Sequence, residues 1–134
     1  MRLWHYSLIP YLPNSQLTAQ WRELNSIYKN QPRHLLINYV YDYSKDHLYN
    51  YSKLVINEMK RRNIKIKSFD NFEEYFRRKE LYINDPIPFH NHHTTRYLQQ
   101  CFYNLQEKYD RGQKDFNTYD YEKLKEFIET RIVL

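Results

Sequence analysis

Apolar and aromatic residues recur at helical spacing from residue 17 onward, after an opening stretch that is broken by prolines. Pro10 and Pro13 exclude a helix across that stretch, and Asn14 or Ser15 is a suitable N-cap where the periodicity begins. Pro32 ends the helix, because its ring cannot continue one. The stripe of this first helix has spacings of four, three and four residues and consists of Leu17, Trp21, Leu24 and Tyr28.

Similar stripes predict further helices in the rest of the chain. A second helix is expected from about Ser44 to Asn63, and a last one from about Tyr119 to Val133. Between them lies a helix centred on Leu98–Tyr109, and Gly112 is placed for the left-handed position after its end. The buried positions of these helices are, in order, Leu48, Tyr51, Val55 and Met59; Leu98, Cys101, Phe102, Leu105 and Tyr109; and Tyr121, Leu124, Ile128 and Ile132.

The segments between these helices have weaker patterns. Phe69–Leu81 predicts a shorter helix whose mixed charges are solvated. Leu35–Tyr43 is rich in branched and aromatic residues, which favours a short strand or an extended buried loop. Asn84–His93 contains two prolines and is expected to be a loop. Because no repeat or low-complexity segment interrupts the pattern, residues 1–134 are expected to form a single all-α domain of four to five helices with irregular loops.

The composition excludes several classes of protein. The 134 residues include one Gly, which rules out the glycine-rich loops of Rossmann and P-loop enzymes. A single cysteine, Cys101, excludes an intramolecular disulfide and a cysteine zinc cluster, and a lone thiol fits a reducing compartment. The chain also lacks a membrane-length apolar stretch and the apolar region of a secretory signal. We therefore expect a cytoplasmic protein that does not bind a membrane.

Positive charge is concentrated in the first half of the chain. The net charge is +5, and residues 1–63 carry nine Lys and Arg against four Asp and Glu, while residues 64–134 carry twelve of each. Such an asymmetry is typical of a surface that binds a polyanion. The basic cluster Lys60, Arg61 and Arg62 fits phosphate binding, but it also fits a helix end that is stabilised by the helix dipole.

A group of histidines suggests a metal site. His90, His92 and His93 lie within four positions, with Asp85 nearby, and imidazole is the commonest metal ligand. Zinc sites usually combine a pair at helical or hairpin spacing with a distant third ligand, and a proline-bounded loop fixes no such geometry. We therefore expect neither a metal nor another cofactor. A metal-dependent nuclease centred on these histidines is kept as a hypothesis that full activity in excess chelator would exclude.

The first helix carries the most informative motif. The segment LTAQWREL, Leu17–Leu24, resembles a helix of the pyrimidine-dimer DNA glycosylases of the phage endonuclease V type, which has the pattern L-x-A-x-aromatic-R-E-L. Leu54–Ile66 is similar to the second helix of that family with its basic end, and Asn104–Tyr109 is similar to part of a later helix. The opening MRLWH is similar to bacterial and phage members, so the resemblance spans about residues 1–110.

The resemblance implies that an α-amino group attacks C1′ of a damaged nucleotide, expels the base through a covalent imine and then cuts the strand by elimination. The amine is expected to be that of Met1, because the large Arg2 should prevent removal of the initiator residue. A backbone amine has a reference pKa of about 7.7–8.0, so part of it is neutral near pH 7. Glu23 would stabilise the sugar cation and move protons. The expected DNA contacts are Arg2, Arg22, Lys60, Arg61, Arg62 and Lys108.

Several departures from the family pattern concern the substrate. Met1 and Arg2 are one position out of register with the helix motif, Ser26 stands where the family has an arginine, and Gln16 where it has a histidine. The lesion therefore stays open. The first hypothesis is a glycosylase and abasic-site lyase that acts as a monomer on damaged double-stranded DNA. The second is a non-catalytic phage or mobile-element protein on the same scaffold, which binds DNA or a host defence protein.

Overall fold

The central element of the fold is a long helix that begins at Asn14, as the apolar pattern predicts. A computed structural model describes residues 2–77 and 87–133 of the chain. Over these ranges the secondary structure is entirely helical, which confirms the all-α class. It consists of two 3₁₀ helices, Tyr6–Tyr11 and Asn38–Asp42, and of five α-helices, α1 Asn14–Asn30, α2 Lys45–Arg61, α3 Asp70–Tyr75, α4 Thr95–Asp110 and α5 Thr118–Glu129. Of these helices, none is long and apolar enough to cross a membrane.

Helix α1 is capped from a distant part of the chain. Its N-cap residue is Pro13 rather than Asn14 or Ser15, so that detail of the sequence prediction is wrong. The Asp115 carboxylate accepts hydrogen bonds from the backbone N–H and the hydroxyl of Ser15, at 2.7 and 3.0 Å. This carboxylate takes the place of a local cap, because it satisfies a backbone N–H that is free in the first turn of any helix.

The predicted stripes of α1, α2, α4 and α5 form the core. Their apolar residues are buried, except for Tyr109, which is half-buried, and Ile132, which lies beyond the end of α5 and is also half-buried. Gly112 follows α4 with φ +83°, which confirms its left-handed position. Helix α5 ends at Glu129, four residues before the predicted end. The short helix α3 ends at Tyr75, and the rest of the predicted helix Phe69–Leu81 lies partly outside the described residues.

Two segments differ from the prediction, and both form 3₁₀ helices. Leu35–Tyr43 is neither a strand nor an extended loop, because Asn38–Asp42 is helical and the hydroxyls of Tyr39 and Tyr41 bond to His93 and to the carbonyl of Pro32. The opening stretch also contains a helical segment, Tyr6–Tyr11, with a proline inside it. A 3₁₀ helix this short tolerates the lost donor of one proline, whereas an α-helix interior does not.

The packing of these helices places the opening residues in the core. Helix α1 packs on α2 and α3, while α5 packs on α4 and on the first 3₁₀ helix. Leu3, Trp4 and His5 are buried between these elements. Rings supply much of the remaining core, for example where Tyr28 meets Phe72 and Phe76 edge to face. As a result, Leu3, Trp4 and His5, which follow the first two residues, are packed between helices.

Candidate active site

A cleft of about 220 Å³ opens between α1, α4 and the opening segment. Helix α1 contributes Gln16, Ala19, Gln20 and Glu23, which are spaced so that they lie on one face. The remaining lining residues come from α4 and from the opening segment, and they are Asn104, Lys108, Arg2 and Trp4. The cleft therefore brings three of the residues predicted for the site together, namely Arg2, Glu23 and Lys108.

Glu23 has a free carboxylate oxygen in this cleft. Its Oε2 atom is buried and has no hydrogen-bond partner among the described residues. A buried polar atom without a partner costs about 1–3 kcal/mol, so native proteins rarely keep one unless it binds a ligand, a proton or water. The carboxylate therefore calls for a partner that the described residues do not supply.

The opening segment is fixed beside Glu23 by hydrogen bonds to its backbone. The Gln20 side chain donates to the Arg2 carbonyl at 3.0 Å and accepts from the Trp4 N–H at 2.8 Å. The Tyr97 hydroxyl donates to the Leu3 carbonyl at 2.6 Å. Met1 itself lies outside the described residues, but its neighbour Arg2 lines the same cleft as Glu23.

Arg22 is not among the residues that line the cleft. It is exposed on α1 next to Glu23, on the outer surface of the helix. Trp21, which precedes it, is buried and meets the ring of Phe69 edge to face at 6.0 Å, so it belongs to the core. The side-chain nitrogen of Lys60 lies 5.6 Å above the same Phe69 ring. Lys60 and Trp21 thus contact the same Phe69 ring, so Lys60 lies near the turn of α1 that carries Arg22.

The other two predicted basic contacts serve the fold as well. Arg61 and Arg62 both form ion pairs with Glu58, at 2.5 and 2.7 Å. Burial acts to raise the pKa of Glu58, but the hydrogen bonds from the two guanidinium groups outweigh it and lower that pKa overall. Arg62 also donates to the carbonyls of Leu12 and Pro10, at 2.6 and 2.9 Å. Its guanidinium thus ties α2 to the opening segment, while Arg61 remains exposed.

Two exposed lysines extend the basic surface and were not among the predicted contacts. Lys65 and Lys67 follow α2 and alternate with the half-buried Ile64 and Ile66. This alternation is the sequence signal that could have identified them, because an extended segment places every second residue on the same side. The side chain of Asn71, a few residues later, bonds to Asn25 of α1 at 3.2 Å.

The histidines are distributed over different contacts. His93 is buried and accepts from the Tyr6 N–H at 3.1 Å, while the ring of His92 bonds to the Tyr43 hydroxyl at 2.7 Å. His90 is exposed, with its ring 5.6 Å from that of His47. Asp85 lies outside the described residues. Within residues 2–77 and 87–133, no group of three possible metal ligands is found, and this part of the chain therefore offers no support for a metal-dependent nuclease.

Comparison with known protein families gave a match for the first part of the chain. A family model described as pyrimidine dimer DNA glycosylase matches residues 1–72, more than half of the chain. The match includes Arg2, Gln20, Arg22 and Glu23, whereas Asn104 and Lys108 lie beyond it. Neither the curated proteins nor the solved structures gave a match. On the strength of the matched region, the chain belongs to the pyrimidine dimer DNA glycosylase family.

Proposed function

We propose that this protein is a DNA glycosylase and abasic-site lyase that uses the α-amino group of Met1 together with Glu23. Membership of the family supports a glycosylase-type function on damaged DNA. The observation that carries the finer proposal is the buried, unpartnered Oε2 of Glu23 in a cleft that Arg2 also lines. This supports the proposal because an acid–base group must lie within reach of the reacting atoms, and the residue that follows the amine lines the same cleft as the carboxylate.

The reaction begins when the neutral amine attacks C1′ of the damaged nucleotide. A C1′–N bond forms, the bond from C1′ to the base breaks, and the base leaves with the bonding electron pair and takes up a proton. Glu23 stabilises the positive charge that develops on the sugar. It takes a proton from the attached nitrogen and delivers a proton to O4′, so that the C1′–O4′ bond breaks and C1′ and nitrogen form the imine. Loss of a proton from C2′ then expels the 3′ phosphate, and hydrolysis of the imine releases the amine.

The proposed DNA surface runs across α1. Arg2 and Lys108 line the cleft on one side of the helix, and Arg22 is exposed on its outer surface. On the other side, the Phe69 ring that packs on Trp21 supports Lys60, and Lys65 and Lys67 continue from there. These cations would bind phosphates on both sides of the nucleotide in the cleft. Arg62 is left out of this surface, because its guanidinium is used within the protein.

Borohydride trapping on a duplex that contains one abasic site tests the proposal. Borohydride reduces an imine to a stable covalent adduct, so an adduct forms only if a free amine has attacked the sugar. The protein that begins at Met1 is compared with a version that carries two extra residues before it. We expect an adduct with the first and at least a tenfold lower yield with the second, and peptide mapping should place the DNA on residue 1.

The other outcomes are equally informative. An adduct mapped to Lys108, the other amine that lines the cleft, would move the nucleophile from Met1 to that side chain. No adduct with either form, on protein shown to be folded by circular dichroism, would contradict the proposed lyase. It would favour the second hypothesis, a non-catalytic protein on the same scaffold that binds DNA or a host protein.

A further inference from the structure

Gln20 is a polar side chain at a position where the core is apolar. It lies on α1 between Leu17 and Leu24 and is fully buried, as they are. Its Nε2 atom donates to the Arg2 carbonyl, and its Oε1 atom accepts from the Trp4 N–H. In a parallel β-sheet, the backbone of one residue also bonds to the two residues on either side of the residue opposite it on the next strand, donating to one and accepting from the other. The carboxamide thus holds the opening segment as an adjacent strand would.

We propose that Gln20 is the positioning residue that places the reactive amine against Glu23, and that Tyr51 supports it. This inference rests on the proposed function. Gln20 and Glu23 are three residues apart on α1 and line the same cleft. Consecutive Cα atoms are about 3.8 Å apart, so Met1 lies one such step beyond the residue whose carbonyl Gln20 holds. The helix that carries the acid–base group therefore also sets the position of the nucleophile.

The hydroxyl of Tyr51, on α2, contacts both the opening segment and the Gln20 side chain. It lies 2.6 Å from the Trp4 carbonyl and 2.9 Å from Gln20 Oε1. Because a hydroxyl carries a single proton, Tyr51 shares it between these two oxygens, and the share donated to Gln20 Oε1 keeps the carboxamide oriented with its Nε2 toward the Arg2 carbonyl. Burial raises the pKa of Tyr51 well above its usual value, so the hydroxyl remains a donor at neutral pH.

Among the hydrogen bonds to the backbone of the opening segment, the bond from Gln20 to the Arg2 carbonyl lies closer to the amine than those of Tyr97 and His93. Tyr97 bonds to the carbonyl of Leu3, and His93 bonds to the N–H of Tyr6. Those contacts fix the segment from Leu3 onward in the core, whereas the Gln20 bond fixes the carbonyl of Arg2. A misplacement of about 1 Å at a reacting group can reduce a rate by about a hundredfold. Loss of the Gln20 bond should therefore affect the reaction more than the binding of DNA.

Two variants and one matched control test the inference. Gln20→Glu keeps the size of the side chain but removes the donor to the Arg2 carbonyl, and Tyr51→Phe removes the supporting hydroxyl. Tyr28→Phe is the control, since it removes a buried tyrosine hydroxyl that bonds to Ser52, away from the opening segment. Each variant is assayed for the single-turnover rate of borohydride trapping with excess protein. Each is also assayed for binding to a duplex with a tetrahydrofuran residue, which cannot form an imine.

We expect the trapping rate to fall about a hundredfold in Gln20→Glu and about tenfold in Tyr51→Phe, with Kd for the tetrahydrofuran duplex within about twofold of the wild type. Tyr28→Phe should retain the wild-type rate. If Gln20→Glu does not fold, Tyr51→Phe and its control decide the question. Wild-type trapping rates in the folded Gln20 and Tyr51 variants would overturn the inference and leave the proposed function standing.

Hydrogen exchange of the Trp4 amide separates the two proposals, because it needs no DNA. In the free wild-type protein this amide should be protected, and its exchange should become at least tenfold faster in a folded Gln20→Met variant, which lacks the side-chain oxygen that accepts from this N–H. Rapid exchange in the wild type would show that Gln20 does not hold the opening segment, whether or not the protein forms an adduct with DNA. Protection of Trp4 without an adduct in the wild type would instead contradict the proposed function, and with it the role of Gln20 in the reaction.

Discussion

The Nε2 atom of His5 donates to the backbone carbonyl of His93 at 2.9 Å. The Nδ1 atom of His5 accepts from the Ser7 N–H, and the Nδ1 atom of His93 accepts from the Tyr6 N–H. Each ring therefore has its proton on Nε2, and the Nε2 of His93 bonds to the Tyr39 hydroxyl. Protonation of either Nδ1 would break a bond to the backbone of the opening segment. Both histidines are therefore neutral in the folded protein.

These two histidines should make the protein less stable in mild acid. Burial is the largest cause of their lowered pKa values, about 2 for His93 and about 4 for His5. Above the unfolded pKa of about 6.5 neither state is protonated, and below it only the unfolded state takes up protons. The free energy of unfolding should then fall by up to about 1.4 kcal/mol per pH unit for each histidine.

Urea unfolding at pH 7.5, 6.5, 5.0 and 4.0 measures this loss. His93→Gln should remove about half of the pH dependence between pH 6.5 and 4, although it lowers the stability itself. Equal pH dependence in wild type and His93→Gln would mean that other groups cause the acid instability.

Glu23→Gln should separate DNA binding from strand cutting. The amide keeps the shape of the side chain but cannot accept and return a proton, and acid–base groups contribute about 10²–10⁴-fold to rates. We expect cutting of an abasic duplex to fall at least a hundredfold, while the Kd measured by fluorescence anisotropy changes by less than threefold. Glu122→Gln, an exposed change on α5, should cut at the wild-type rate. Normal cutting by Glu23→Gln would remove Glu23 from the mechanism.

The salt dependence of DNA binding should identify the cations that bind phosphates. Each such contact contributes about 0.9 to the slope of log Kd against log salt concentration. Arg22→Ala and Lys67→Ala should each reduce that slope by about one, whatever the DNA sequence. Lys123→Ala on α5 should leave it unchanged. If all three variants kept the wild-type slope, the DNA would bind to another surface of the protein.

Arg62 should contribute more to stability than an exposed arginine in the same kind of ion pair. Arg62 and Glu58 are four residues apart, as are Arg111 and Glu107, but the side-chain exposure is 16% for Arg62 and 78% for Arg111. Arg62→Ala leaves Glu58 and two carbonyls with fewer donors, so we expect a loss of about 2–4 kcal/mol. Arg111→Ala should cost less than about 1 kcal/mol. If Arg62→Ala and Arg111→Ala unfold at similar denaturant concentrations, Arg62 does not have this structural role.

The sequence predicted the helices because their pattern is local. The stripes of α1, α2, α4 and α5 repeat with the period of the helix, so neighbouring residues carry the signal. The segment Asn38–Asp42 was mispredicted for the opposite reason. Its aromatic residues resemble a strand, yet the hydroxyl of Tyr39 is satisfied by His93, which lies 54 positions away. No local pattern contains that partner.

The site was predictable in part. The motif Leu17–Leu24 identified Arg22 and Glu23 through a family resemblance, but it said nothing of Gln20, which the pattern leaves unspecified. A signal was present, because residues 17, 20, 21 and 24 complete the buried face of the helix, and one of them is polar. A polar residue at a buried position needs partners, but only the fold shows that they are the backbone of Arg2 and Trp4.

The order in which the chain is synthesised has a consequence for the opening segment. Leu3 is held by Tyr97, which lies 94 positions later, and Ser15 is capped by Asp115, which lies 100 positions later. A nascent chain emerges with its early residues first, at about 5–20 residues per second. The part of the protein made first is therefore among the last to be fixed, and the cleft beside Glu23 is complete only after α4 has left the ribosome.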